Sequence, residues 1–225
     1  MISIEQQQKL LLNVSNRLKK KINVYVIGGT AMMFLGFKDA TLDIDIVFKN
    51  EVDREIFKEA IKSLGYLEMN NVIVYGAKKN QPQMFTLADE RFDLFVYNVI
   101  DFVFSENMEN RAEQIHQYGE NLILKIADPH DIILMKCATD RLKDKDDARK
   151  IIDSTKIDWQ ILINEAKNQR KLGKEKAVIN LGFFLEHLKN EMKINIPQRV
   201  LDDLWNLTEK QIKEQKKRRL KVMKA

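Results

Sequence analysis

The chain has 225 residues, 44% hydrophobic and 32% charged, with a formal net charge of +5; this supports one large or two small globular domains and excludes a disordered or fibrous protein. A single cysteine, Cys137, excludes an intramolecular disulfide, and the three histidines, His116, His130 and His187, are too scattered for a zinc-like cluster. No apolar stretch approaches bilayer length, and Glu5, Gln6, Gln7 and Gln8 stand where a secretory leader would be apolar, so the expectation is a cytoplasmic protein with no membrane partner.

In chain order, Leu10, Leu11, Val14 and Leu18 form the apolar stripe of a helix over Ile4 to Lys20. Val24 to Ile27 reads as a buried strand, and Gly28-Gly29 breaks it before a helix from Ala31 to Phe37. Glycines at that turn let backbone approach a ligand, and the first N–H groups of the helix favour an anion such as a triphosphate. Gly28, Gly29 and Thr30 are therefore candidate nucleotide-binding residues.

The next strand, Leu42 to Phe48, alternates: Asp43, Asp45 and Val47 on one face, Ile44, Ile46 and Phe48 on the other. Two carboxylates thus point the same way, roughly 7 Å apart along the strand, within reach of shared or neighbouring divalent cations. A helix from Asp53 to Leu64 ends at Gly65, and short strands follow at Val72 to Tyr75, Gln83 to Leu87 and Phe92 to Val96. In the last, Asp93 projects from an otherwise apolar strand. A buried carboxylate there needs either a cation or a donor, and Arg91, two residues away on the same face, is a candidate for the second.

These strands make a mixed sheet, and the fold class is α+β, with helices flanking the sheet and a helical region after it. Past Leu122 to Ile126 the pattern turns helical, beginning with Asp128 as cap and Pro129 in the first turn before Ile132 to Met135. Helices over 144–152, 158–171, 174–192 and 197–218 follow, broken at Gly173 and Pro197. The expected division is a core over 1–127 and a helical domain over 128–225. Cys137, beside Ile133, Leu134 and Met135, reads as a helix-core residue. Eight Lys or Arg against two Glu over 208–225 concentrate the net charge in a basic tail around Lys216-Lys217-Arg218-Arg219, which reads as a solvated helix end or as a contact for nucleic-acid phosphates.

Hydrophobic-Gly-Gly at Ile27 to Gly29, then Asp43-Ile44-Asp45 after the thirteen residues Thr30 to Leu42, resembles the signature of the nucleotidyltransferase superfamily of the DNA polymerase beta type. The resemblance implies a nucleotidyltransferase core in which Asp43 and Asp45 hold the cation on a nucleoside triphosphate. Asp93 would complete a second metal site, and Gly28, Gly29 and Thr30 would grip the departing pyrophosphate. It implies two Mg2+ ions as cofactors and a nucleoside triphosphate as donor substrate. Lys136, followed by Arg141-Leu142-Lys143-Asp144-Lys145-Asp146-Asp147, further resembles the abortive-infection type nucleotidyltransferases that act as toxins in toxin–antitoxin pairs. There, Lys136 would approach the nucleotide phosphates while Lys143, Asp144 and Asp147 close the pocket, the acceptor would be RNA or a tRNA end, and the partner a cognate antitoxin protein. By residue type alone, the same segment also reads as a charge cluster capping a helix at Asp144, with Lys143 and Asp147 paired. Aminoglycoside nucleotidyltransferases share a similar start, which keeps small-molecule acceptors open, as is a fold retained for binding without turnover.

Overall fold

The structure is a computed structural model that describes residues 1–139 and 141–209, so the basic tail centred on Lys216 to Arg219 lies outside the described residues. The chain divides into two compact units, Met1–Met135 and the residues from Lys136 on. The boundary expected between residues 127 and 128 lies about one helix before this division.

The first unit runs β1 (Ile2–Ser3), α1 (Ile4–Ser15), β2 (Ile22–Val26), α2 (Gly28–Phe34), β3 (Ala40–Thr41), β4 (Ile44–Phe48) and α3 (Glu51–Ser63). It continues with β5 (Leu67–Met69), α4 (Val72–Tyr75), β6 (Gln83–Leu87), β7 (Glu90–Val96), β8 (Asn98–Val99), β9 (Phe102–Val103), α5 (Glu106–Arg111), β10 (Ile115–Tyr118), β11 (Leu122–Ile126) and α6 (Pro129–Lys136). The main sheet has the order β10-β11-β2-β4-β7-β6-β5, mixed in direction as expected. The β11–β2 and β4–β7 pairs are parallel and the others along this path antiparallel. Helix α1 packs on β10 and β11, and α3 on β4 and β7.

Local chemistry explains the helix limits. Ser3 and Gln6 form a reciprocal capping box at the start of α1. Asn50 accepts from Asp53 N at 2.8 Å to start α3, and Gly65, at φ +96°, ends it. Asp128 Oδ1 accepts from His130 N at 2.9 Å, which caps α6 as its sequence predicts. The alternation in β4 and β7 sends Ile44, Ile46, Phe48, Phe92 and Leu94 into a core closed by aromatic edges. Phe57 lies 5.4 Å from Phe48 and 5.6 Å from Phe92, ring to ring, and Tyr66 lies 5.1 Å from Phe92.

Val72–Tyr75, expected as a strand, is a single helical turn. The side chain of Asn70 marks its start, and the main chain of Asn71 closes it. Asn70 Oδ1 accepts from Val72 N, and Asn71 O from Tyr75 N, both at 2.9 Å, so turn chemistry prevails over β-branched propensity. The place beside β6 is taken by β5, whose three residues, Leu67-Glu68-Met69, are too few to show a strand period. Likewise β10, on the opposite sheet edge, alternates exposed and half-buried residues and gives little hydrophobic signal. Helix α2 starts at Gly28, three residues before its expected first residue.

In the second unit, α7 (Leu142–Ser154), α8 (Trp159–Lys171), α9 (Glu175–Asn190) and a helical stretch over 198–209 follow the expected order. Leu162, Ile163, Leu181, Leu185 and Leu188 are buried, and Cys137 is a buried thiol whose Sγ approaches Ala177 O at 3.9 Å. Among the described residues, no helix is long and apolar enough to cross a membrane.

Candidate active site

Strands β4 and β7 run parallel with Asp45 directly opposite Asp93, so their carboxylates rise from one face of the sheet, opposite the aromatic core. Asp43 sits just ahead of β4, which begins at Ile44 and not at Leu42 as expected. The three residues each bring a carboxylate oxygen within 4.8 Å of the other two, the one such acidic grouping among the described residues. Asp93 is fully buried, and Asp43 and Asp45 are half-buried.

The glycine turn lies against this cluster. Gly28 has φ +59°, and a Cβ there would collide with Asp45 Oδ2; a Cβ on Gly29 would collide with Thr41 Oγ1. Ile27 N donates to Asp45 O at 3.2 Å, tying the start of α2 to the aspartate strand, and Ile27 offers that helix no side-chain cap. Thr30 departs from its expected phosphate contact. It is fully buried, its Oγ1 donates to Asp43 O at 3.2 Å and accepts from Asp45 N at 3.1 Å, so it fixes the backbone that presents both aspartates. Thr41 Oγ1 adds a bond to Asp43 Oδ1 at 3.3 Å.

Two residues complete the cluster. Arg91 donates through Nε to Asp93 Oδ1 at 2.9 Å and through Nη2 to Asp93 Oδ2 at 3.1 Å, and it also pairs with Asp43 Oδ2. The Arg91–Asp93 pair foreseen from spacing is thus present, and one guanidinium bridges two of the three carboxylates. Tyr75 O–H donates to Asp93 Oδ2 at 2.6 Å. Nothing in the sequence marks Tyr75, because its approach depends on how the loop between β5 and β6 folds over β7.

Burial pushes the Asp93 carboxyl up to about 6; Arg91's charge opposes this, Asp43's repulsion adds to it, and hydrogen bonds from Tyr75 and Arg91 pull the other way. Burial also pushes the Tyr75 phenol up, reinforced by the charges of Asp45, Asp93 and Asp43. Burial works against the Arg91 charge, but Asp93 and Asp43 outweigh it and hold the guanidinium above its ordinary value. Three oxygen ligands converging on one point, already drawing in a cation, fit a hard divalent metal. Asp43, Asp45 and Asp93 are the residues that would hold it.

Within the second unit, Lys136, Asp144 and Asp147 come together. Lys136 Nζ donates to Asp144 Oδ1 at 2.9 Å and Asp147 Oδ2 at 2.6 Å, all three side chains being nearly buried. Arg141 Nε adds a bond to Asp144 Oδ2 at 2.7 Å, and Thr139 Oγ1 hydrogen-bonds the same oxygen. Lys143 is exposed and stands outside this cluster. The inward lysine suspected from helix periodicity is therefore real, and its partners are the two acidic residues of the following helix.

No curated protein matches the chain. Among solved structures, it is similar to ANT(2")-Ia, crystallised in complex with adenylyl-2"-tobramycin, at 16% identity and a TM-score of 0.44 over 80% of this chain and 98% of that one. A family model described as a nucleotidyltransferase of unknown function (DUF6036) matches residues 1–193, and the chain belongs to that nucleotidyltransferase family.

Proposed function

We propose that the chain is a magnesium-dependent enzyme that moves a nucleoside monophosphate from a nucleoside triphosphate to an acceptor hydroxyl and releases pyrophosphate. The observation that carries this is the convergence of Asp43, Asp45 and Asp93, drawn from separate segments, beside the Gly28 turn. When bound, two Mg2+ ions would neutralise the triphosphate and lower the pKa of the attacking hydroxyl. The protein's own work is positioning. Thr30 and Thr41 hold Asp43 and Asp45, the absent Cβ of Gly28 lets the Asp45 carboxylate lie against the turn, and Asp93 Oδ2 accepts a hydrogen bond from a hydroxyl, as it does from Tyr75.

The acceptor we favour is RNA, a tRNA end, in a toxin held in check by an antitoxin protein. This rests on the likeness of the segment from Lys136 to Asp147 to the abortive-infection type. The same likeness places the segment bearing Lys136, Lys143, Asp144 and Asp147 beside the nucleotide, and the wider superfamily resemblance places Gly28 and Gly29 at its phosphates. The test is incubation of the protein and Mg2+ with each labelled triphosphate and, separately, total cell RNA, protein and small molecules. Label in the RNA fraction supports this acceptor; label confined to small molecules replaces it with an antibiotic-like one. Calorimetry provides the check on chemistry: nucleotide binding that survives Asp43→Ala and chelation unchanged would point to a metal-independent binding protein.

A further inference from the structure

On the sheet face that carries Asp45 and Asp93, one hydroxyl is already in place. Tyr75 O–H meets Asp93 Oδ2 at 2.6 Å, and its ring stands edge-on to Phe95, the next side chain of β7 on that face, with centroids 6.4 Å apart. Asp93 is the carboxylate that the proposed reaction assigns to the attacking hydroxyl, so Tyr75 stands where an acceptor must stand. Core packing of its own helix does not account for this. Helix α4 is one turn with no buried residue, and Val72, Ile73 and Val74 are 56%, 73% and 40% exposed, although each is apolar. The phenol reaches inward from a segment whose other apolar side chains face outward.

We propose, resting on the nucleotidyltransferase reading above, that Tyr75 is a self-modification site, receiving a nucleoside monophosphate when no external acceptor displaces it. The phenolic oxygen forms a bond to the α-phosphorus of the triphosphate. The bond from that phosphorus to the bridging oxygen of the β-phosphate breaks, and pyrophosphate leaves with the electron pair. The phenolic proton passes to Asp93 Oδ2, to which it is already hydrogen-bonded. The product is a tyrosine phosphodiester whose negative charge is repelled by Asp43 and Asp45, so the modified side chain leaves Asp93 and, once Asp93 gives its proton to solvent, opens that oxygen to another hydroxyl.

The experiment uses the full chain with Mg2+ and each common nucleoside triphosphate, read by intact mass and then by peptide mapping. The expected result is a single nucleotidyl group per chain, mapped to Tyr75 and lost in Tyr75→Phe, with a cooperative melting transition for that variant showing that it is folded. No label on the chain, or label retained by Tyr75→Phe, overturns the assignment. Total RNA and small molecules present in parallel tubes separate the two levels. Label there with none on the chain refutes the Tyr75 site and leaves the enzyme reading standing, whereas no label anywhere and no triphosphate binding by calorimetry removes both.

Discussion

Replacing Lys136 with methionine tests whether its amine is a buried strut or a nucleotide ligand. Methionine fills similar space without the charge, which leaves two carboxylates that are 2% and 4% exposed without the cation they share. Breaking a buried pair costs about 3–5 kcal/mol. Arg141, 59% exposed, still reaches Asp144, so the lower end, about 3 kcal/mol, is expected. Followed by urea denaturation of the whole chain, with a slope of about 2 kcal/mol/M, the midpoint should fall by about 1.5 M. Adding Asp144→Asn and Asp147→Asn to Lys136→Met should restore most of it, because the buried charges go with the cation. A midpoint shift below about 0.5 M, with triphosphate affinity lost, would refute the strut and assign the amine to the nucleotide.

The same cluster carries a pH signature. Burial acts to raise the Asp144 carboxyl, but Lys136's charge and the bonds from Arg141, Thr139 and Lys136 outweigh it and hold it below 3.8. Burial acts to lower the Lys136 ammonium, but Asp144 and Asp147 hold it above 10.5. A depressed acid stabilises above its unfolded value and a raised base below its own, so the contribution should be level between pH 3.8 and 10.5 and fade outside as each group crosses its folded value. Denaturation midpoints of wild type and the triple variant should converge at the acid end; parallel curves down to full acid unfolding would contradict the linkage. Gly28→Ala should cost about 1–2 kcal/mol for its positive φ, and by driving Asp45 aside should lower nucleotidyl transfer about 100-fold; transfer within a few-fold of wild type would show that Asp45 does not need its present place. Thr30→Val should destabilise the fold by about 1–3 kcal/mol, since it strips partners from Asp45 N and Asp43 O. Its triphosphate KM should change less than its kcat, and a selective KM rise would return the hydroxyl to the phosphate.

Periodicity within a strand or a helix is a local property, and it set the alternation of Asp45 with Ile44 and Ile46, the emergence of Asp93 from an apolar strand, the glycine break, the cap at Asp128 and the inward position of Lys136. Which face a residue occupies follows from its neighbours in sequence. What lies opposite it does not. The register that sets Asp45 beside Asp93 comes from pairing two strands separated by α3, β5, α4 and β6, and only the folded chain fixes it. Tyr75 reached the cluster because an apparent strand, entered through a bond to the Asn70 side chain, is a helical turn, and Thr30 was claimed by the aspartate backbone because α2 starts directly against β4. Sequence thus determined the chemical groups and the faces that bear them, through short-range sterics. Tertiary structure decided their partners, because contacts between distant segments depend on the whole core that brings those segments together.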